Sequence, residues 1–160
     1  MLDRYLFLLT FTAAIGCGLI AGVFFAFSTF VMPALARLQP DRGIAAMQSI
    51  NITAINPLFM LALFGTAGAC LLIVISVLLH WDRSGTIYLA IGSLLYLVGT
   101  ILVTMLGNVP LNNALAIVDP NSTEGATLWA KYLTDWTFWN HVRTLAALAA
   151  SAMFIVSLTK

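Results

Sequence analysis

Charge is scarce in this sequence: seven Lys and Arg and six Asp and Glu in 160 residues, with a formal net charge of +1. There is no basic surface to hold nucleic acid and no acidic run to hold a basic partner. Cysteine is nearly absent too. Cys17 and Cys70 stand alone with no Cys-x-x-Cys pair, so dithiol catalysis is not expected, and each fits as a small apolar filler. The two histidines, His80 and His141, fall at opposite ends of a helical bundle and so cannot ligate one haem or one metal. The carboxylates nearest His141 are Asp135 and the loop residues Asp119 and Glu124, so a metal is not expected. No Ser-His-Asp spacing, phosphate loop or dinucleotide fingerprint is present.

What fills the space is apolar. A hydrophobic fraction of 61% and a mean hydropathy of +1.00 are those of an integral membrane protein, and the length allows one domain over residues 1–160. The first apolar run is too long for the core of a signal peptide and reads as a transmembrane helix rather than a cleaved leader. The pattern predicts an all-α fold: a four-transmembrane-helix bundle with spans at about 5–32, 57–79, 86–108 and 136–159, and two short amphipathic helices on one membrane side. Ala14, Gly18, Gly22 and Ala26 recur every four residues, a stripe that lets another helix approach closely, whether within the bundle or in a homo-oligomer, or that walls a ligand channel.

Between the spans, Asp41 is expected to cap an amphipathic helix over Gly43–Ile55, and Asn56-Pro57 to open the second span with Pro57 as its first residue. His80-Trp81-Asp82-Arg83-Ser84-Gly85 is a short connection. In the third span, Asn108 and Asn112 share a face if the helix continues, kinked, through Pro110. Asp119–Gly125 is loop-like, and 126–134 reads as the second amphipathic helix.

The costliest stretch to place is Trp136-Thr137-Phe138-Trp139-Asn140-His141-Val142-Arg143-Thr144. Only about 16 residues lie between Arg143 and Lys160, short of the roughly 20 a span needs, so the helix starts near Trp136 and carries His141 and Arg143 inside the membrane boundary. Trp136, Asn140, Arg143 and Thr144 fall on one face, with His141 on its flank. Alternating spans bring this stretch to the same side as Ser28, Thr29, Asn56, Asn108 and Asn112, which implies a polar pocket roofed by the amphipathic helices. The alternative is a boundary segment, with Trp136 and Trp139 in an aromatic belt, Arg143 snorkelling to headgroups and the asparagines capping helix ends.

Four stretches carry a family resemblance: Gly22-Val23-Phe24-Phe25-Ala26-Phe27-Ser28 with Met32-Pro33-Ala34-Leu35; Ala46-Met47-Gln48-Ser49-Ile50-Asn51; Val103-Thr104 with Asn108-Val109-Pro110-Leu111-Asn112; and Trp136-Thr137 with Trp139-Asn140-His141-Val142-Arg143-Thr144. Together they resemble the anthrone-oxygenase-like family of small membrane proteins. The resemblance implies a four-span protein and, for part of the family, oxygenation of a polyketide anthrone to an anthraquinone without an evident metal or flavin. Under that chemistry His141 is the base, since imidazole titrates nearest neutrality, and Arg143 with Asn108 and Asn112 holds the developing enolate oxygen. Trp136, Trp139 and Phe27 stack on the rings, and Asn140, Thr144, Asn51 and Asn56 complete the substrate site. The competing expectation is a non-enzyme that binds a quinone, lipid or partner protein at the same end. Basic residues divide between the sides, with Arg4, Arg83 and Lys160 on one and Arg37, Arg42, Lys131 and Arg143 on the other. The expectation is a bacterial plasma-membrane protein with cytoplasmic termini, its pocket facing outward and taking a hydrophobic small molecule.

Overall fold

The computed structural model describes residues 2–81 and 85–160, with the side chains of Leu2 and Asp3 set aside. Asp82, Arg83 and Ser84, the middle of the expected second connection, lie outside the described residues. All regular structure among the described residues is helical. Helix α1 runs Leu2–Ala26, widens into a π-helical turn over Phe27–Val31 and finishes at Met32–Leu35. Helix α2 is Pro40–Ala54 and α3 is Pro57–Leu79. Helix α4 starts at Thr86–Leu94, passes through π-helical stretches Leu95–Leu102 and Thr104–Asn108, and ends with Val109–Ala116. Helix α5 is a single run, Thr123–Ser157.

Two prolines lie inside helices: Pro33, expected to end the first, and Pro110, through which the third was expected to continue with a kink. A proline ring inside an α-helix clashes with the carbonyl four residues back and lacks a donor. Here the turn before each proline is widened, and the N–H of Met32 reaches Phe27 and that of Val109 reaches Thr104, five residues back. Helices α1 and α4 therefore continue past Pro33 and Pro110, and α4 outruns the expected 86–108. The resulting π turns lie at the same end of the molecule.

Cross-helix contacts fix the topology. Ser151 donates to the Ala14 carbonyl at 2.8 Å and Asn140 to the Phe24 carbonyl at 2.7 Å, so α5 runs antiparallel to α1. The hydroxyl of Tyr96 donates to the Leu63 carbonyl at 3.1 Å and the amide of Asn108 to the Trp136 carbonyl at 3.1 Å, pairing α4 with α3 and with α5. The order around the bundle is α1, α3, α4, α5. Its core holds Ile20, Phe24, Ile73, Tyr96, Ala147 and Phe154.

Small residues set the spacing, as expected of membrane helices. A Cβ on Gly16 would collide with the Thr66 side chain on α3, and one on Gly99 would sit 2.5 Å from the Ala146 Cβ on α5. Of the expected stripe, Ala14 and Gly18 face Ser151 of α5, while Gly22 has nothing within 4 Å. The stripe's first half is therefore occupied within the chain.

Among the described residues, three helical stretches are long and apolar enough to cross a membrane: Arg4–Leu35, Pro57–Leu79 and Thr86–Ala116. Their outward faces carry large exposed side chains such as Leu19, Leu61, Leu78 and Leu106. This is an integral membrane protein. Helix α5 does not join the three, because Lys131, Asp135, Asn140, His141 and Arg143 interrupt its apolar sequence. It also corrects the boundary expected at Trp136, since the amphipathic segment 126–134 is its first turns and no break separates the two.

A second core, with Met32, Ile44, Met47, Leu115, Trp129 and Tyr132, lies where α2 docks across the bundle end. Gln48 secures it, donating to the Leu115 and Val118 carbonyls at 2.8 and 3.1 Å, acceptors left open at the end of α4. The start of α2 differs from expectation. Gln39 is its N-cap, without a side-chain cap bond, Pro40 holds the first position and Asp41 lies in the first turn.

Candidate functional site

The site is built where the two π turns meet α5. Ser28 comes from the widened turn of α1, Thr104 and Asn108 from that of α4, and Asn140, Arg143 and Thr144 from one face of α5. Widened turns of this kind often mark functional positions.

Asn140 is the hub, with no exposed surface. Its Nδ2 donates to the Phe24 carbonyl at 2.7 Å and to Ser28 Oγ at 2.6 Å, and its Oδ1 accepts from Arg143 Nε at 2.9 Å. A guanidinium can only donate, so the amide orientation follows from its partners. Thr144 Oγ1 donates to the Asn140 carbonyl at 2.6 Å.

Arg143 is 6% exposed. Its Nη1 donates to Thr104 Oγ1 at 3.3 Å, and its Cζ lies 3.9 Å from the centre of the Phe24 ring and 5.0 Å from that of Trp136. Two aromatic faces thus take the place of a counter-ion, a favourable arrangement for a desolvated cation. Among the described residues no carboxylate partners it and its Nη2 donates to nothing. A buried cation with open donors suits an anionic oxygen.

Asn108, also without exposed surface, gives its Nδ2 to the Trp136 carbonyl and leaves Oδ1 as a buried acceptor with no partner. Thr104, the Arg143 partner, is one turn away on the same helix, so an unused acceptor and unused donors lie within a turn of each other. Asn112 is used differently: its Oδ1 accepts from Tyr132 OH and Trp136 Nε1, both at 2.8 Å. It orients an aromatic ladder in which Trp129 stacks on Tyr132 at 5.6 Å between ring centres, Tyr132 on Trp136 at 5.9 Å, and Trp136 tilts against Phe27 at 5.8 Å. Burial pushes the Tyr132 phenol above its ordinary range, so it stays a hydrogen-bond donor.

Phe27 also walls a cavity of about 370 Å³ between α1, α2 and the start of α3, together with Val23, Ile50, Thr53, Asn56 and Phe59. One ring therefore separates an apolar cavity from Trp136, which lies over Arg143. Asn56 takes part in that cavity while its Oδ1 caps α3 by accepting from Phe59 N at 3.0 Å. Asn51, on α2 above, keeps a buried Nδ2 without a partner.

The expected set is only partly assembled. Arg143, Asn108, Asn140, Thr144 and Trp136 converge, with Asn112 one turn beyond Asn108 supporting the ring of Trp136. His141 does not join them: it is exposed and makes no hydrogen bond among the described residues. One residue along a helix is a rotation of about 100°, which carries His141 off the face that buries Asn140. Trp139 is likewise outside, 38% exposed, edge-on to Phe138 at 5.2 Å and against the backbone of Gly107. The sequence reading missed Phe24, the nearer aromatic partner of Arg143. Its spacing of four residues from Ser28 places both on one helix face and was the available signal.

A family model described as anthrone oxygenase matches residues 56–153, well over half the chain. No curated protein and no solved structure matches it. The matched stretch contains α3, α4 and the site-bearing part of α5, with Asn108, Asn112, Asn140 and Arg143 inside it, whereas Phe24, Phe27 and Ser28 on α1 fall before it. With this much of its length matched, the chain belongs to the anthrone oxygenase family.

Proposed function

We propose that the protein is a membrane oxygenase that converts a planar, hydrophobic anthrone or related phenol to the corresponding quinone. The substrate partitions from the bilayer into the cavity beside Phe27, and displacement of that ring brings its oxygen to Arg143. The observation that carries the reading is Arg143 itself, a buried guanidinium between two aromatic rings, with no carboxylate partner among the described residues and with donors unspent on them.

Arg143 stabilises the enolate form of the anthrone, and Asn108 Oδ1 accepts from the neutral hydroxyl before ionisation. The proton leaves to water. The enolate carbon adds dioxygen and a proton to give a hydroperoxide, whose loss of water leaves a carbonyl. One oxygen atom enters the product, the other becomes water, and the methylene supplies all four electrons. His141 is not assigned the base, because it is exposed on another face of α5. Phe24 and Trp136 fix the guanidinium, and Asn140 positions it through Oδ1.

In this reading α5 crosses the membrane as a fourth span, both termini are cytoplasmic and the cavity opens on the outer side of a bacterial plasma membrane. The separation of the cavity from Arg143 by Phe27 favours one second reading, a binder that holds a quinone or lipid beside Phe27 without turning it over. Oxygen uptake by the protein in nanodiscs supplied with an anthrone separates the two. The enzyme predicts uptake above the protein-free rate, with a product that has gained one oxygen and lost two hydrogens, and loss of both in Arg143→Gln. A ligand recovered unchanged after exposure to air sinks the oxygenase.

A further inference from the structure

The opposite end of the bundle contains a second cavity, about 430 Å³, and its chemistry is distinct. Its polar lining includes Thr10 from α1, Ser76 and His80 from the end of α3, and Ser157 and Lys160 from the end of the chain. Thr10 is 2% exposed. Helical threonines elsewhere fold back onto the carbonyl four residues earlier, as Thr12, Thr29 and Thr53 do at 2.8, 2.7 and 2.9 Å. Thr10 does not, and among the described residues the hydroxyls of Thr10, Ser76 and Ser157 have no hydrogen-bond partner.

The Thr10 hydroxyl, on a buried residue and without a partner, opens onto the cavity and is free to bond a ligand atom there. The other groups say which kind. Lys160 can only donate, and it has no carboxylate partner among the described residues. His80 is anchored by Nδ1 to the Ser76 carbonyl at 3.3 Å, which fixes Nδ1 as the protonated nitrogen and holds the ring at the cavity. No acidic side chain lines the space among the described residues. Its remaining wall is apolar, with Leu6, Leu89 and Leu158, and Phe7 at the rim is 52% exposed on the outer surface of α1. Donors and a cation at the head, with an apolar wall opening toward the exposed face of a membrane helix, describe an amphiphile with an anionic headgroup.

We propose that this cavity binds a long-chain carboxylate or monoalkyl phosphate. The anionic oxygens take donors from Thr10, Ser157 and Lys160, and the chain runs past Leu6 and Phe7 into the surrounding lipid. The site is separate from the Arg143 end and does not depend on the oxygenase reading.

Equilibrium binding to the full chain in a neutral detergent tests it, using dodecyl phosphate, dodecanoate, dodecanol and inorganic phosphate as probes. Dodecyl phosphate and dodecanoate are expected to bind, dodecanol about 10-fold more weakly or worse, and inorganic phosphate not measurably, since a charge-assisted hydrogen bond is worth about that factor. Thr10→Val is expected to weaken dodecyl phosphate binding about 10-fold. Lys160→Gln, at an exposed position that leaves folding untouched, is expected to do the same, and Arg143→Gln to leave binding unchanged. Equal binding of dodecanol, tight binding of inorganic phosphate alone, or indifference to both Thr10→Val and Lys160→Gln overturns the proposal.

Discussion

The middle of the bundle and its α2-covered end both bury polar groups, but they do so in opposite ways. In the middle, Cys17 and Cys70 pack with no exposed surface, Tyr96 spends its hydroxyl on the Leu63 carbonyl, and Gly16 and Gly99 let backbones close on Thr66 and Ala146. Apart from Ser93 Oγ, a lone buried donor without a partner, the polar groups there are spent, and the packing is close. At the other end a full cation is buried, held by Asn140 and Thr104 and faced by Phe24 and Trp136, while Asn108 Oδ1 and Arg143 Nη2 remain unspent. Burial of polarity with nothing left over is architecture; with matched donors and acceptors left over, it is a binding surface in a medium where lipid offers no partners.

That contrast can be broken most forcefully at Arg143. Arg143→Gln removes the charge that would hold an enolate, and oxygen-dependent turnover is expected to fall by about 100-fold or more, the size of effect seen when an oxyanion donor is lost. Arg143→Lys keeps charge but cannot bridge Asn140 and Thr104 in a planar fork, so it recovers part of the rate only. Steady-state oxygen uptake on detergent-solubilised variants checks both.

Asn140→Ala is next. It orphans the Phe24 and Ser28 contacts and frees Arg143 at once, and is expected to cost about 2–4 kcal/mol by thermal unfolding along with most of the activity. In the middle, Gly99→Ala drives a methyl into Ala146 and is expected to cost about 1–3 kcal/mol, while turnover per folded molecule is retained. A Gly99→Ala protein that folds normally but is inactive would mean that the two regions are not separable. Tyr96→Phe loses one hydrogen bond and should cost about 1 kcal/mol. The smallest effect is expected at His141, where His141→Ala should change stability by under about 0.5 kcal/mol and leave turnover intact. A large loss of rate there would restore the imidazole to the chemistry.

How much of this was legible beforehand depends on which physics decided each residue. The Pro57 start of α3 is local and stands as expected, whereas the cap made by Asn56 belongs to the alternative boundary reading. The convergence of Asn108, Asn140, Arg143 and Trp136 was legible because alternating helices must return to the same side. Continuation through Pro33 was not, since proline usually ends a helix and only a widened turn, set by tertiary packing, rescues it, and the same widening lets α4 continue through Pro110. The length of α5 was hidden for a related reason: its first turns are amphipathic because α2 covers them, with Trp129 against Gly43, rather than because a separate helix lies there. His141 was misplaced by a single residue of helical rotation. A pocket roofed by the amphipathic helices was expected at this end, with Phe27 and Asn56 in it, but its apolar walls at Val23, Ile50 and Phe59 were not, because they are set by where α2 crosses α1 and α3.

The most direct measurement is the absorption spectrum of an anthrone bound to the protein without oxygen at neutral pH, in wild type and in Arg143→Gln. If the buried guanidinium exists to hold an enolate oxygen, wild type shows the ionised chromophore and Arg143→Gln shows the neutral one. A neutral spectrum in both proteins, with the ligand demonstrably bound, contradicts the account.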